Sequence, residues 1–345
     1  MPKTTTGRDW SGYKYRILKE LGESIDMILG VRQLDSDTMR WALHSHEQDD
    51  GIGAFTAGLN SFGIPLSTRP VRKPPPAPGW WARIALLRQH LRNGKPLTYP
   101  WRRYQAGQMA PASGIAFCFL STEQTAAIRR RVRHLRVGES AFFLSALNRA
   151  CRRQLLDADC ERLWMLPHDF RRALGSHHLR GNFTAPLNLP ISNNASASDI
   201  YTDMKQLYRS NVLWGSWTYT NFARYLHRSI IERAYRRMPK PAWFGVYANM
   251  GNWKSAVSVP LGFVTAPPAS AVCPVTAGSL TWNGQASFSL QLHSTLSSDV
   301  TEAEKLLECW LQQVLADCDI DSGIAVESIA MSELVATATR PGERR

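Results

Sequence analysis

A mixed α/β fold, with helices laid over β-sheets, is what this sequence predicts, and three features carry the prediction. Apolar runs of strand length, such as GIAFCFL and ASFSLQLHS, alternate along the chain with amphipathic runs of helix length. Near the end, Ala303, Leu306, Leu307, Trp310, Leu311, Val314 and Leu315 recur at helical spacing and form one stripe suited to packing on a sheet. The 345 residues, 44% hydrophobic and 20% charged, suffice for a well-buried core and match an ordinary soluble globular composition.

In chain order, MILGVRQL and MRWALHSH read as two strands around the polar turn DSDT, followed by a short Gly-containing helix in GIGAFTAGLNSF. The proline-rich stretch at 69–79 cannot continue a helix or a central strand and predicts an extended connector. WWARIALLRQHLRNG is then a helix stopped by Gly94. GIAFCFL is a strand, and Ser121 with Gln124 has the spacing of a capping box that opens the next helix. A second helix, with Ser140 as its expected cap, leads to the strands RLWMLPHDF and FTAPLNLPI. IYTDMKQLYRS and NFARYLHRSIIERAYRRM read as amphipathic helices. FGVYANMG, AVCPVTAG, GSLTWNG and ASFSLQLHS read as strands, the last two joined by Asn283-Gly284. Thr301 and Glu304 are the expected cap of the final helix.

Charge narrows the partner class. Lys and Arg number 41 against 28 Asp and Glu, a net charge of +13, which favours nucleic acid, anionic lipid, phosphorylated cofactors or an acidic carrier protein. The densest cluster, Arg129, Arg130, Arg131, Arg133 and Arg136, has no interleaved aromatics and matches no nucleic-acid module, so it reads as a solvated helix face. The six cysteines form no CxxC pair and no Cys/His ligand spacing, which predicts buried thiols in a reducing compartment. No apolar run approaches membrane-spanning length and the first residues lack a secretory pattern, so a cytoplasmic setting is expected.

The stretch HSHEQDDG, residues 44–51, concentrates the chemistry. His44 and His46 share a strand face, a spacing open to a metal, but no further His, Asp or Glu cluster completes a ligand set, so no metal is expected. As a general base, a neutral imidazole at the end of a rigid element takes a proton from an attacking hydroxyl, amine or thiol. A carboxylate four residues on, held by an arginine, would lock the loop that presents the ring, and a glycine beside it admits substrate close to the backbone. His46, Asp50 and Gly51 meet that requirement as HxxxDG. A polar strand end with a salt-bridged aspartate and no chemistry is the competing reading of the same residues.

The segment MILGVRQLDSDTMRWALHSHEQDDG resembles the strand–turn–strand and HHxxxDG segment of the acyl-CoA-dependent acyltransferase superfamily, which includes chloramphenicol acetyltransferase, peptide-synthetase condensation domains, wax-ester synthases and alcohol acyltransferases. The likeness continues through the strand–helix–helix that begins near residue 115. It includes the "R…GN" stretch with Arg171 and Gly181-Asn182, FGVYANMGN with Asn249, Met250 and Gly251, and the closing hairpin and helix, so it covers about residues 26–320 in family order. It implies a chloramphenicol acetyltransferase-like two-lobed α/β fold of mixed sheets covered by helices. With 45 residues ahead of His46, the resemblance implies a first lobe that is expected to be reduced. A partner subunit that completes this lobe, or a shortened relative that no longer catalyses, are the alternatives the same brevity implies.

By this resemblance His46 is the catalytic base, Asp50 orients the loop, and Arg171 is its salt-bridge partner with Arg172 in reserve. His44, Asn182 and Asn249 shape the pocket. Ser45 stands where relatives carry the first of the paired histidines. The implied substrates are an acyl-CoA or acyl carrier protein thioester and a small hydroxyl or amine acceptor, with no resident cofactor. A non-catalytic relative that binds an acyl carrier or a partner enzyme is the second reading. A basic nucleic-acid-binding protein in which HxxxDG is accidental is the third, and no nucleic acid is expected under the first.

The chain divides accordingly into a reduced amino-terminal lobe with the motif (1–68), the connector (69–79), a helix and inter-lobe segment (80–114), the second lobe (115–330) and a tail (331–345). Trp214, Trp217 and Tyr219 are open to two readings, the lining of an acyl channel or core packing. Ser287 and Ser289 share a strand face and are minor candidates to offer a hydroxyl to the site. His168 reads as structural, His293 as facing solvent, and His177-His178 as a surface pair.

Overall fold

The computed structural model describes residues 10–33, 38–68, 76–93, 97–106, 111–176, 180–222, 225–238, 240–257, 259–320 and 323–339. Residues 35–37 of the expected DSDT turn, most of the proline-rich connector, the Gly94 stop and the pair His177-His178 lie outside them.

Two sheets organise the chain. The smaller has the order β2-β1-β8, from β1 (Asp26–Gln33), β2 (Met39–Ser45) and β8 (Leu261–Ala266). The first two form an antiparallel hairpin in which Asp26 faces Ser45, and β8 adds to the other edge of β1 with Ile28 opposite Ala266. This third strand comes from the far end of the sequence. LGFVTA is short and follows a proline, so it gives little local strand signal; its partner supplies the order.

The larger sheet runs β11-β4-β10-β9-β7-β5-β6. It uses β4 (Gly114–Phe119), β5 (Arg162–Asp169), β6 (Thr184–Ile191), β7 (Gly245–Ser255), β9 (Val275–Trp282), β10 (Gln285–Leu292) and β11 (Glu327–Ala330), while β3 (Leu66–Thr68) pairs with β7. The central β7 runs parallel to β5 and β9; the other pairings are antiparallel. AVCPVTAG and GSLTWNG, expected as two strands, are one. Gly278, at their junction, lies so close to Thr265 O that a Cβ would sit 2.4 Å from it, so the residue marks a close approach of β8 and not a turn.

Helices α4 (Thr122–His134), α5 (Glu139–Leu155) and α9 (Val300–Ala316) cover the large sheet. The predicted α9 stripe is fully buried, with Trp310 Nε1–H donating to Phe143 O at 2.9 Å. The Ser121–Gln124 capping box forms as expected. Two other caps differ. Gly138 is the N-cap of α5, and Ser140 instead accepts from Asn249; Asp299 caps α9, its carboxylate accepting from Thr301 N–H. An aspartate just outside a helix outcompetes a threonine at its second position because only the flanking residue can fold back on the free N–H groups.

α6 (Ala197–Arg209) packs against α5 and α7 (Val212–Phe222). The stretch expected as a single helix from Asn221 onward is broken: α7 ends at Phe222 and α8 (Arg228–Arg237) starts afresh with His227 as its cap. α3 (Trp80–Asn93) lies along α7, and α10 (Met331–Thr337) packs on β2 and β4 through the buried Leu334.

Candidate active site

β2 ends at Ser45, and the chain turns sharply through 46–50 into α2 (Gly51–Ser61). Asp50 is the N-cap of α2; its Oδ1 accepts from Gly53 N–H at 3.1 Å, satisfying one of the orphan donors of the first helical turn. The same carboxylate, fully buried, accepts two parallel bonds from Arg171, Nη2 to Oδ1 at 2.8 Å and Nη1 to Oδ2 at 2.9 Å, and a fourth from Phe183 N–H at 2.8 Å. Burial pushes the Asp50 carboxyl up against the pull of Arg171. All four contacts are donors, so a proton on the acid would have nothing to bond to, and the carboxylate form fits the site. Arg171 is itself buried and held by Asp169 and by Gly181 O, while Arg172 is exposed. Burial works against the Arg171 charge, but Asp50 outweighs it and raises the guanidinium above its usual range.

His46 is half-buried at the end of this pinned turn. Asn182 grips it twice: its Nδ2–H donates to His46 O at 3.0 Å, and its Oδ1 lies 3.0 Å from the imidazole Nδ1. The amide can accept only at Oδ1, so Nδ1 carries the proton and Nε2 is the basic atom. One ring face is covered by Tyr15 of α1 (Trp10–Glu20), stacked at 4.0 Å and 16°. Burial pushes the imidazole down to about 4, against the bond to Asn182 and with help from the Lys14 charge, so the ring is neutral near physiological pH.

His44, one strand-repeat earlier, is buried and pairs through Nε2 with Asp49 Oδ2 at 2.8 Å. Asp49 also accepts from Gly181 N–H and from Arg180 Nε at 2.7 Å. Burial opposes its charge, but the bonds from His44, Gly181 and Arg180 hold it below the usual carboxylate range. Among the described residues no group of three or more His, Cys, Asp or Glu could hold a metal ion. The paired aspartates thus have separate tasks, Asp49 holding His44 and Asp50 holding Arg171.

Both histidines line a cavity of about 130 Å³ between the small sheet with α2 and the large sheet. Its wall is mostly apolar: Met27, Ile28 and Leu29 of β1, Ile52, Ala54 and Phe55 of α2, Ala248 and Met250 of β7, and Ala266 at the end of β8 with Pro267 and Pro268 beyond it. Gly51 lines it too, and a Cβ there would meet Met250 Sδ at 3.3 Å. Asn249 and Met250 reach the cavity at a bulge, where the register of β7 against β9 slips between Asn249 and Asn252 and Gly251 takes φ 79. Asn249 braces this bulge by accepting from Gly251 N–H at 2.7 Å and donating to Ser140 Oγ at 3.1 Å.

Several candidates fall elsewhere. Trp214 and Trp217 pack on Phe170, and none of Trp214, Trp217 and Tyr219 lines the cavity. Ser287 and Ser289 bond Phe263 O and Thr265 O at 2.6 Å each, tying β10 to β8. His293 is buried, not solvent-facing, and bonds Thr295. Asp49 stands in the very run that drew attention to His44, but its fold-back onto a residue five earlier has no sequence pattern of its own. Arg180 and Tyr15 had no signal, since both arrive from distant elements.

No protein-family model matches the chain, and no curated protein matches it. Solved structures do. The cyclization-docking bidomain of the EpoB nonribosomal peptide synthetase from Sorangium cellulosum is similar at TM-score 0.53 and 12% identity over 83% of this chain and 61% of that one. A structure of condensation domain-mediated chain release from the enacyloxin polyketide synthase is similar at TM-score 0.51 and 13% identity, over 82% of this chain and 58% of that one. The chain thus spans about three-fifths of the length of these two structures. The likeness shows the fold, a two-lobed α/β architecture of the condensation-domain type.

Proposed function

We propose that this chain transfers an acyl group from a coenzyme A or carrier-protein thioester to a hydroxyl or amine acceptor, with His46 as general base. The observation that carries the reading is the Asn182 clasp, which presents His46 Nε2 as a neutral base at an apolar cavity between the two sheets. The buried Asp50–Arg171 pair would fix the turn that carries the ring.

In the proposed step the acceptor's oxygen or nitrogen attacks the thioester carbonyl while Nε2 takes its proton. The tetrahedral adduct collapses, the C–S bond breaks, and the departing sulfur receives that proton from the imidazolium. No covalent enzyme intermediate is needed. The apolar wall suits an uncharged acyl chain, and the net charge of +13 suits the phosphates of coenzyme A or of a phosphopantetheinyl arm.

Free-thiol release from a panel of acyl thioesters, with hydroxyl and amine acceptors supplied in turn, tests the reading. Acceptor-dependent release that disappears in His46→Ala supports it. Release that is absent with every donor and acceptor, while a carrier protein still binds, would favour a binding role.

A further inference from the structure

Eleven large hydrophobic residues among the described ones are well exposed, and six of them sit on one helix pair: Trp80, Trp81 and Leu91 on α3, Tyr219 and Phe222 on α7, and Tyr225 just beyond it. Scattered exposed apolar residues need no explanation; this concentration does. The two helices run side by side in the same direction, with Arg83 over the Trp214 ring at 5.1 Å and His90 beside Tyr219 at 5.8 Å. They touch backbone to backbone, since a Cβ on Gly215 would lie 2.1 Å from Leu86 O. The patch is therefore part of a rigid ridge, with a tryptophan doublet 62% and 81% exposed at one end and Phe222 and Tyr225 at the other.

Charge identifies what this ridge fits. Residues 51–122 contain nine Lys or Arg and no Asp or Glu. α3 itself carries Arg83, Arg88 and Arg92, the last two exposed, and α7 carries no charged side chain. Exposed Trp and Tyr beside exposed Arg, with no carboxylate on either helix, is the composition of a surface that settles into lipid headgroups. A protein-binding face would be expected to mix both signs around its apolar centre. No helix among the described residues is long and apolar enough to cross a membrane.

We infer that the α3–α7 ridge docks this protein on an anionic bilayer surface, with Trp80 and Trp81 entering the interface and Arg88 and Arg92 pairing with lipid phosphates or carboxylates. The inference is independent of the acyl-transfer reading, because it uses none of the residues around His46.

The test is co-sedimentation of the full chain with phosphatidylcholine vesicles that contain or lack phosphatidylserine, with thermal melting as the check on folding. The wild type should bind the serine-containing vesicles and release from them as salt rises. Arg88→Gln with Arg92→Gln should weaken that binding roughly thirtyfold. Trp80→Ser with Trp81→Ser should abolish it, both variants melting near the parent temperature. Brominated lipid should quench the fluorescence of the wild type more than that of the tryptophan variant. Absence of binding, equal binding to both vesicle types, or undiminished binding by the tryptophan variant would overturn the inference. So would a wild type that elutes as a dimer and becomes a monomer only in the tryptophan variant, since a second copy would then cover the ridge.

Discussion

Asp50 and Arg171, 121 residues apart in sequence, meet through two parallel hydrogen bonds of 2.8 and 2.9 Å with both side chains out of water. This pair joins the turn after β2 to the end of β5, and so joins the small sheet to the large one at the candidate site. Removing one partner leaves a buried charge without compensation. Asp50→Ala and Arg171→Ala should each lower unfolding stability by ~3–5 kcal/mol, measured by urea denaturation. Arg171→Lys should recover only part of this, because an ammonium cannot make both bonds. A loss below about 1 kcal/mol, the scale of a solvated surface pair, would show that the contact does not brace the turn.

Asn182 fixes the imidazole tautomer through Nδ1, so its replacement should separate orientation from folding. Asn182→Ala should cut transfer by ~10–100-fold, the usual consequence of removing a histidine's orienting partner. Asn182→Asp keeps an acceptor at the same place but adds a negative charge, which favours the imidazolium. Its pH–rate profile should carry an acid limb displaced upward from the wild type's. Superimposable profiles would mean that the clasp has no part in proton transfer.

Stability should fall on acidification for a reason that can be assigned. Burial pushes both His46 and His90 down to about 4, whereas an unfolded histidine titrates near 6.5. As pH drops through that window the unfolded chain takes up protons first, so the folded state loses stability between about 6.5 and about 4 and the loss levels off below. His90→Gln should shrink the acid-side drop in melting temperature and leave transfer unchanged, since His90 does not line the cavity. The wild-type rate should stay level down to pH 5. A rate that halves near pH 6.5 would show that the imidazole is not shielded as described.

The cavity wall predicts which acyl groups are favoured. Met250 stands across from Gly51. Met250→Ala should widen the space there and shift the ratio of kcat/KM towards bulkier acyl chains. Pocket discrimination of a single methylene is worth roughly tenfold or more, so a series of acyl lengths would reveal it. An unchanged ranking would place the acyl chain somewhere else.

The fold was largely legible because its helices and buried strands announce themselves locally. The α9 stripe has helical spacing and no other use, and the β1–β2 hairpin has strand composition on both sides of a polar stretch of sequence. β8 was not legible, since six residues with little pattern become a strand only by joining β1. The site divides in the same way. The HxxxDG spacing singled out His46, Asp50 and Gly51 because all three lie within one turn of chain. The Arg171 and Asn182 contacts depend on β5 and β6 bringing residues more than a hundred positions away back to that turn, and only the family resemblance drew attention to them. Tyr15 stacks on His46 from a helix whose sequence gave no hint of where it would lie. Ser287 and Ser289 show the converse case. A shared face was correctly read, but that face turns towards β8, whose carbonyls use both hydroxyls.

The most direct measurement of the central claim is mass-spectrometric detection of acylated acceptor, with coenzyme A and carrier-bound donors, for the wild type and His46→Ala side by side. A general base contributes ~10²–10⁴-fold. The account therefore predicts product from the wild type and a loss of that size in the variant, at an almost unchanged melting temperature. Equal product from both proteins, or a variant that loses activity only because it no longer folds, would contradict it.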